Sequence, residues 1–178
     1  MEIILKILWL ILPAGVANMS PVLFKWINFL NKPVDFGFKT KDEKFLFGKN
    51  KTYRGFFFGT LLGILIFYIQ VRLYSFAQEY TFFDYTKVNW FLIGFLLSFG
   101  ALLGDLIESF FKRRVGIESG KEWIPFDQID WILGALFLLS FQIWLGWKIF
   151  FLTILIWGIL HPIVNLIGYW LKIKKNKF

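Results

Sequence analysis

Half of the twelve acidic residues in this 178-residue chain lie between positions 105 and 130. They are Asp105, Glu108, Glu118, Glu122, Asp127 and Asp130, interleaved with Lys112, Arg113, Arg114 and Lys121. Solvation of an exposed loop accounts for Glu118, Lys121 and Glu122. It does not account for Asp105 or Asp130, which stand at the edges of apolar runs, where an ionised carboxylate is costly unless paired or bound to a cation. If the run before Asp105 continues as a helix, Asp105, Glu108 and Lys112 share one face at i, i+3 and i+7. Asp127 and Asp130 are again three apart, at the start of the next run. Carboxylates converging beside Lys112, Arg113 and Arg114 suit a hard divalent cation carrying a polyphosphate, because Mg²⁺ takes one or two carboxylates plus substrate phosphates. Spacing alone leaves that reading open beside one of structural salt bridges.

A second basic cluster, Lys49, Lys51 and Arg54, leads into the glycine-rich run that begins at Gly55. It lacks the spacing of a phosphate-binding P-loop. Positive-inside anchoring is one reading; phosphate capture by Lys51 and Arg54 at a helix N-terminus is the other. Two polar features lie deeper. Asn18 sits between Pro13 and Pro21, as a helix break or a polar group lining a substrate groove. His161, Asn165 and Tyr169 are spaced i, i+4, i+8 on one face, as a packing stripe or a substrate contact. No G-x-S-x-G elbow is present.

These residues must be positioned by apolar elements. The chain is 57% hydrophobic, 22% aromatic and 18% charged, a composition no soluble domain of this size accommodates. A membrane helix needs about 20 mostly apolar residues. Stretches near 3–30, 56–74, 90–107, 129–147 and 149–171 meet or approach that length, predicting an all-α, polytopic, single-domain protein with five spans. The last two should form a hairpin about Gly146. Gly55, Gly59 and Gly63, and likewise Gly100 and Gly104, recur every four residues and predict close helix packing.

Orientation follows from Lys and Arg between the spans. Residues 31–54 carry seven, 107–128 four and the tail from Lys172 four, against Arg72, Lys87 and Lys148 on the other side. Fifteen against three predicts an external N-terminus and a cytoplasmic C-terminus, with the 105–130 segment cytoplasmic. A cleaved signal is disfavoured, since Glu2 comes first and Lys6 interrupts the apolar run. The net charge of +8 is thus explained by topology, without a nucleic-acid partner. The absence of cysteine excludes thiolate chemistry, and the single histidine excludes a multi-histidine metal site.

Gly104-Asp105-Leu106-Ile107-Glu108-Ser109, then Lys112-Arg113, Pro125 and Asp127-Gln128-Ile129-Asp130, resembles the signature of the membrane CTP-dependent phosphatidate cytidylyltransferases. In that signature S-x-x-K-R leads through a proline to D-R-x-D. Gln128 replaces its arginine, Glu118-Ser119 its K-D pair, and its G-H-G-G run is missing. Pro13-Ala14, Ala17-Asn18, Pro21, Asp35-Phe36-Gly37, Lys51-Thr52-Tyr53-Arg54-Gly55 and His161-Pro162 with Asn165 and Tyr169 are similar to the motifs of the smaller archaeal branch, the five-span CDP-archaeol synthases. The resemblance implies that CTP and 2,3-di-O-geranylgeranylglycerol 1-phosphate, an isoprenoid ether lipid phosphate, give the CDP-lipid and pyrophosphate with Mg²⁺ as cofactor.

On that resemblance Asp105, Asp127 and Asp130 are expected to hold the metal, with Glu108 in support. Lys112, Arg113 and Arg114, with Ser109, would meet the triphosphate, and Lys51 and Arg54 a phosphate from the opposite side. Asn18, His161 and Asn165 would contact substrate. Such transfer needs charge neutralisation and positioning rather than a protein nucleophile. A diacyl phosphatidate substrate and a small transporter are the alternatives. A CDP-alcohol phosphotransferase is disfavoured because D-G-x-x-A-R is absent.

Overall fold

The computed structural model describes residues 1–41 and 43–170; the predicted end of the last span at Leu171 and the basic tail 172–178 lie outside them. Five long helices carry the chain: α1 (Glu2–Leu23), α2 (Tyr53–Arg72), α4 (Trp90–Arg114), α5 (Phe126–Ser140) and α6 (Trp147–Trp170). A single turn, α3 (Tyr74–Ala77), and two 3₁₀ turns link α2 to α4. Among the described residues, extended pairing is limited to the isolated bridges Pro33–Thr52 and Lys39–Phe45.

Among the described residues four helices, α1, α2, α4 and α6, are long and apolar enough to cross a membrane. The fourth predicted span is shorter than expected. Residues 129–147 do not form one helix: α5 ends at Ser140, and its 15 residues rise about 22 Å, against roughly 30 Å of hydrocarbon. Gly146, at φ +83°, then turns the chain into α6. The expected hairpin is present, with Trp131 against Trp157 and His161.

The first and third predicted spans also shift. α1 runs unbroken through Pro13 and Pro21 but stops at Leu23 rather than 30. Beyond it, Arg54 Nη1 donates to the carbonyls of Lys25 (3.1 Å) and Ile27 (2.6 Å), so a side chain replaces the next helical turn. α4 continues seven residues past Ile107, which makes the Asp105–Lys112 face a real helical face. Its last turn carries Lys112, Arg113 and Arg114, the sign a helix C-terminus favours.

The glycines do set the helix approach. A Cβ at Gly59 would stand 2.9 Å from the Ala17 carbonyl of α1, and one at Gly63 equally close to that of Pro13. Gly100 and Gly134 put α4 and α5 in backbone contact, and a Cβ at Gly104 would run into the Asp130 carbonyl oxygen. The core of α1, α2, α4 and α5 is apolar and buried, with Leu10, Ile11, Phe67, Leu97, Ala101, Trp131 and Ile132 at its centre. α6 buries only Thr153 and Asn165. Its exposed apolar surface suits lipid.

Residues 24–52 fold back over one end of the bundle. Asp35 organises them, its carboxylate accepting from the backbone N–H groups of Gly37, Phe47 and Gly48 at 2.9, 2.9 and 3.4 Å.

Candidate functional site

The C-terminal half-turns of α4 and the first turn of α5 meet at that same end, and the 24–52 segment closes over them. Thr52 caps α2, its side chain accepting from Gly55 N–H at 3.2 Å, and this fixes Lys51 immediately before the helix. Lys51 Nζ reaches Asp105 Oδ2 on α4 at 2.6 Å. Two turns on, Lys112 lies between two carboxylates, 2.5 Å from Asp127 Oδ1 and 3.6 Å from Glu108 Oε1. The other Asp127 oxygen accepts from Trp123 N–H at 2.6 Å.

These side chains enclose a polar chamber of about 300 Å³. It brings together ten of the thirteen predicted residues: Asn18, Lys51, Asp105, Glu108, Ser109, Lys112, Arg113, Asp127, His161 and Asn165. The other three are placed differently. Arg54 is committed to the carbonyls beyond α1. Arg114 points the other way from its neighbour, donating from Nη2 to the Phe45 carbonyl at 2.6 Å and lying over the Phe110 ring. Neither lines the chamber; both, expected to meet phosphate, are engaged in contacts within the fold. Asp130 is buried behind the chamber, its Oδ1 accepting from Trp131 N–H at 2.6 Å.

The chamber is charged on a buried foundation. Glu108, Lys112 and Arg113 are each at most 7% exposed. Arg113 Nε and Nη1 are buried with no hydrogen-bond partner among the described residues, as is Glu108 Oε1. A buried guanidinium with open donors is a costly arrangement that an anion relieves. Burial works against charge on the Lys51 ammonium, yet the Asp105 carboxylate beside it, helped by Asp130 and Glu108, raises its pKa above the usual lysine value.

A three-aspartate metal cage is not what the chain builds here. Among the described residues no group of three or more His, Asp or Glu side chains is spaced to hold a metal. Asp127 is drawn away because Lys112 and Trp123 N–H take both its oxygens. Asp105 and Asp130 remain, while Glu108 Oε1 faces Lys112 Nζ at 3.6 Å. Two carboxylates completed by substrate phosphate are a normal Mg²⁺ donor set. The Lys51 ammonium already stands as a cation in their field, so these residues fit the ion.

Two apolar recesses adjoin the chamber. One, of about 220 Å³, runs between α1, α5 and α6 past Leu12, Val16, Met19, Trp157 and Val164, and shares Asn18, His161 and Asn165 with the chamber. The other, of about 510 Å³, lies against Ile107, Phe111, Phe126 and Leu133 and ends at Asp130 and Glu108.

Sequence reasoning missed Asn50, Ser119, Lys121 and Glu122, all on the chamber wall. Lys121 and Glu122, read from the sequence as solvated, are exposed as expected while also bordering the chamber. The readable signal was glycine: Gly116 and Gly120 adopt positive φ and fold that loop inward. A Cβ at Gly48 would sit 3.0 Å from Ser119 Oγ, so the two loops touch.

Known proteins resemble this chain throughout. The family described as CarS-like, CDP-archaeol synthase, matches residues 1–178. The CDP-archaeol synthase of Methanococcoides burtonii is 34% identical over 93% of this chain and 98% of its own. That of Methanopyrus kandleri is 37% identical over 96% and 91%. That of Archaeoglobus fulgidus is 34% identical over 98% of each. A solved structure described as an intramembrane enzyme for archaeal membrane lipid biosynthesis superposes with a TM-score of 0.70 at 29% identity, covering 89% of this chain and 91% of that one.

Proposed function

The chain belongs to the CDP-archaeol synthase family, multi-pass cytidylyltransferases of archaeal lipid biosynthesis, and from that premise we propose that it transfers the cytidylyl group of CTP to 2,3-di-O-geranylgeranylglycerol 1-phosphate. The observation that carries this substrate pair is the continuity of the charged chamber with an apolar groove at Asn18, His161 and Asn165. A polyphosphate belongs to the first compartment and an isoprenoid chain to the second, so their phosphates meet at the junction.

A lipid phosphate oxygen bonds to the α-phosphorus of CTP, and the bond to the β-phosphate oxygen breaks in line, its electron pair leaving with pyrophosphate. Arg113, with two open donors, and Lys112 neutralise the triphosphate, and Ser109 lies beside them. Asp127 holds Lys112 in place rather than meeting a cation. Lys51 completes the positive wall from the opposite side. Asp105 and Asp130, supported by Glu108, would hold Mg²⁺, which when bound supplies further charge neutralisation on the triphosphate. Positioning and preorganised charge are what such transfer requires. The chamber faces the cytoplasm, a side supported by the fifteen-to-three distribution of basic residues.

The test is pyrophosphate release by the purified protein in detergent, given CTP, Mg²⁺ and either the geranylgeranyl ether phosphate or a diacyl phosphatidate, with EDTA and ATP controls. Release requiring CTP, metal and the ether lipid is expected. Preference for phosphatidate would overturn the lipid assignment, and full activity in EDTA would overturn the metal.

A further inference from the structure

Residues 24–52 carry a surface that is unlike a solvated loop. Trp26, Phe29, Leu30, Phe36 and Phe38 are all exposed, Trp26 and Phe36 by 75% and 77%. None of the five lines the chamber. So many large apolar side chains in one short stretch exceed the scattered exposure of an ordinary surface. Among them stand Lys25, Lys32, Lys39 and Lys41, also exposed. The segment holds seven lysines against three acids, and one of those acids, Asp35, is buried against backbone N–H groups.

The position of this stretch decides what its side chains meet. It connects the end of α1 at Leu23 to the start of α2 at Tyr53, both helices long and apolar enough to cross a membrane. Hydrogen bonds keep the connection level with those helix ends. Arg54 N–H donates to the Leu30 carbonyl at 2.8 Å and Tyr53 N–H to that of Lys32 at 3.0 Å, beside the bonds from Arg54 Nη1 to Lys25 and Ile27. Trp26, Phe29 and Leu30 are therefore fixed next to two helix termini, at the depth where hydrocarbon gives way to headgroups and aromatic rings are favoured. The bonds to Asp35 hold the next turn, which presents Phe36 and Phe38. A lysine at that depth is attracted by the negative charge of the membrane surface.

We propose that residues 25–41 form an interfacial platform that docks on the bilayer around the protein, its rings entering the headgroup layer and its lysines binding the phosphates of anionic lipids. The same segment continues into Phe47, Asn50 and Lys51 on the chamber wall, so the platform ties that wall to the membrane surface. The inference stands apart from the transferase reading, and its test uses no substrate.

The chain has no cysteine, so a single nitroxide label can be placed at a chosen position. Trp26→Cys, Phe29→Cys and Phe38→Cys variants of the whole chain are spin-labelled and placed in vesicles of phosphatidylcholine, alone or with phosphatidylglycerol added. Collision of each label with oxygen and with a neutral, water-soluble nickel chelate reads its depth. At positions 26 and 29 oxygen should collide more readily than the chelate in both vesicles. At position 38, further from the helix ends, phosphatidylglycerol should lower the chelate collision rate about fivefold, the shift that one lysine beside an anionic surface supplies. Replacing Lys25, Lys32 and Lys41 together by Gln in the Phe38→Cys protein should abolish that fall. These lysines are exposed and outside the chamber, so the fold should persist. Free access of the chelate to positions 26 and 29 overturns docking on the bilayer. Equal rates at position 38 in the two vesicles, or a fall that survives the lysine replacements, overturns the anionic-lipid assignment. Dipolar broadening between labels on two copies would make this a self-association face and overturn the proposal.

Discussion

Arg113 and Arg114 are adjacent in sequence and lie in different surroundings. Arg113 lines the polar chamber, its Nε and Nη1 buried without a partner among the described residues, whereas Arg114, whose Nε is likewise unpartnered, bonds the Phe45 carbonyl through Nη2 and covers the Phe110 ring. About 100° of helical rotation separates consecutive side chains, and here it separates a side chain that lines the chamber from one held by a backbone carbonyl and a ring.

Substituting the two arginines should therefore divide binding from stability. Arg113→Met is expected to raise the KM for CTP by tenfold or more, as loss of a charge-assisted contact worth about 1.5–3 kcal/mol implies. Arg114→Met should lower the detergent melting temperature and leave the CTP KM of the folded enzyme near wild type. Steady-state kinetics and thermal unfolding of both variants check this, and equal effects on KM would place Arg114 in the site.

The Lys51–Asp105 pair gives an alkaline limit. The folded-state pKa of Lys51 lies above the usual 10.5 because the surrounding carboxylates outweigh the opposing effect of burial. A raised folded value means the pair's stabilisation is fully present below that usual value and is lost as pH rises through the higher folded one. Thermal unfolding from pH 8 upward should show a steeper alkaline decline in the wild type than in Lys51→Met. Parallel declines would remove Lys51 as the cause.

Gly104 is required by the contact between α4 and α5. Its Cβ would meet the Asp130 backbone, which cannot rotate away, whereas a Cβ at Gly158 would meet only the Ile129 Cγ2, at 3.3 Å. Gly104→Ala should cost about 1–3 kcal/mol, the range for overpacking, and should move Asp130 relative to Asp105. Gly158→Ala should unfold close to the wild type. Similar melting temperatures for both variants would show that the α4–α5 contact can relax.

The apolar runs, the hairpin at Gly146, the glycine-mediated packing and the concentration of charge between 105 and 130 were legible in the chain itself. Each depends on local composition or on spacing along one helix. The length of α5 was not, because residues 141–146 are as apolar as a span and only the packed turn shows where the helix stops. The end of α1 was hidden for a related reason: the group that replaces its next turn, Arg54, lies some thirty residues away.

The sequence by itself determined that this is a helical membrane protein with an acid–base cluster at one end, since composition and charge are properties of the chain. Only the tertiary structure decided that Asn50 and Ser119 reach the chamber wall, that Arg54 and Arg114 do not, and that Asp127 serves Lys112. Helices apolar on nearly every side carry no amphipathic stripe to reveal which face turns inward. That choice is made by backbone contacts such as Gly104 against Asp130, which bring distant segments together and so set the rotation of every side chain around the site.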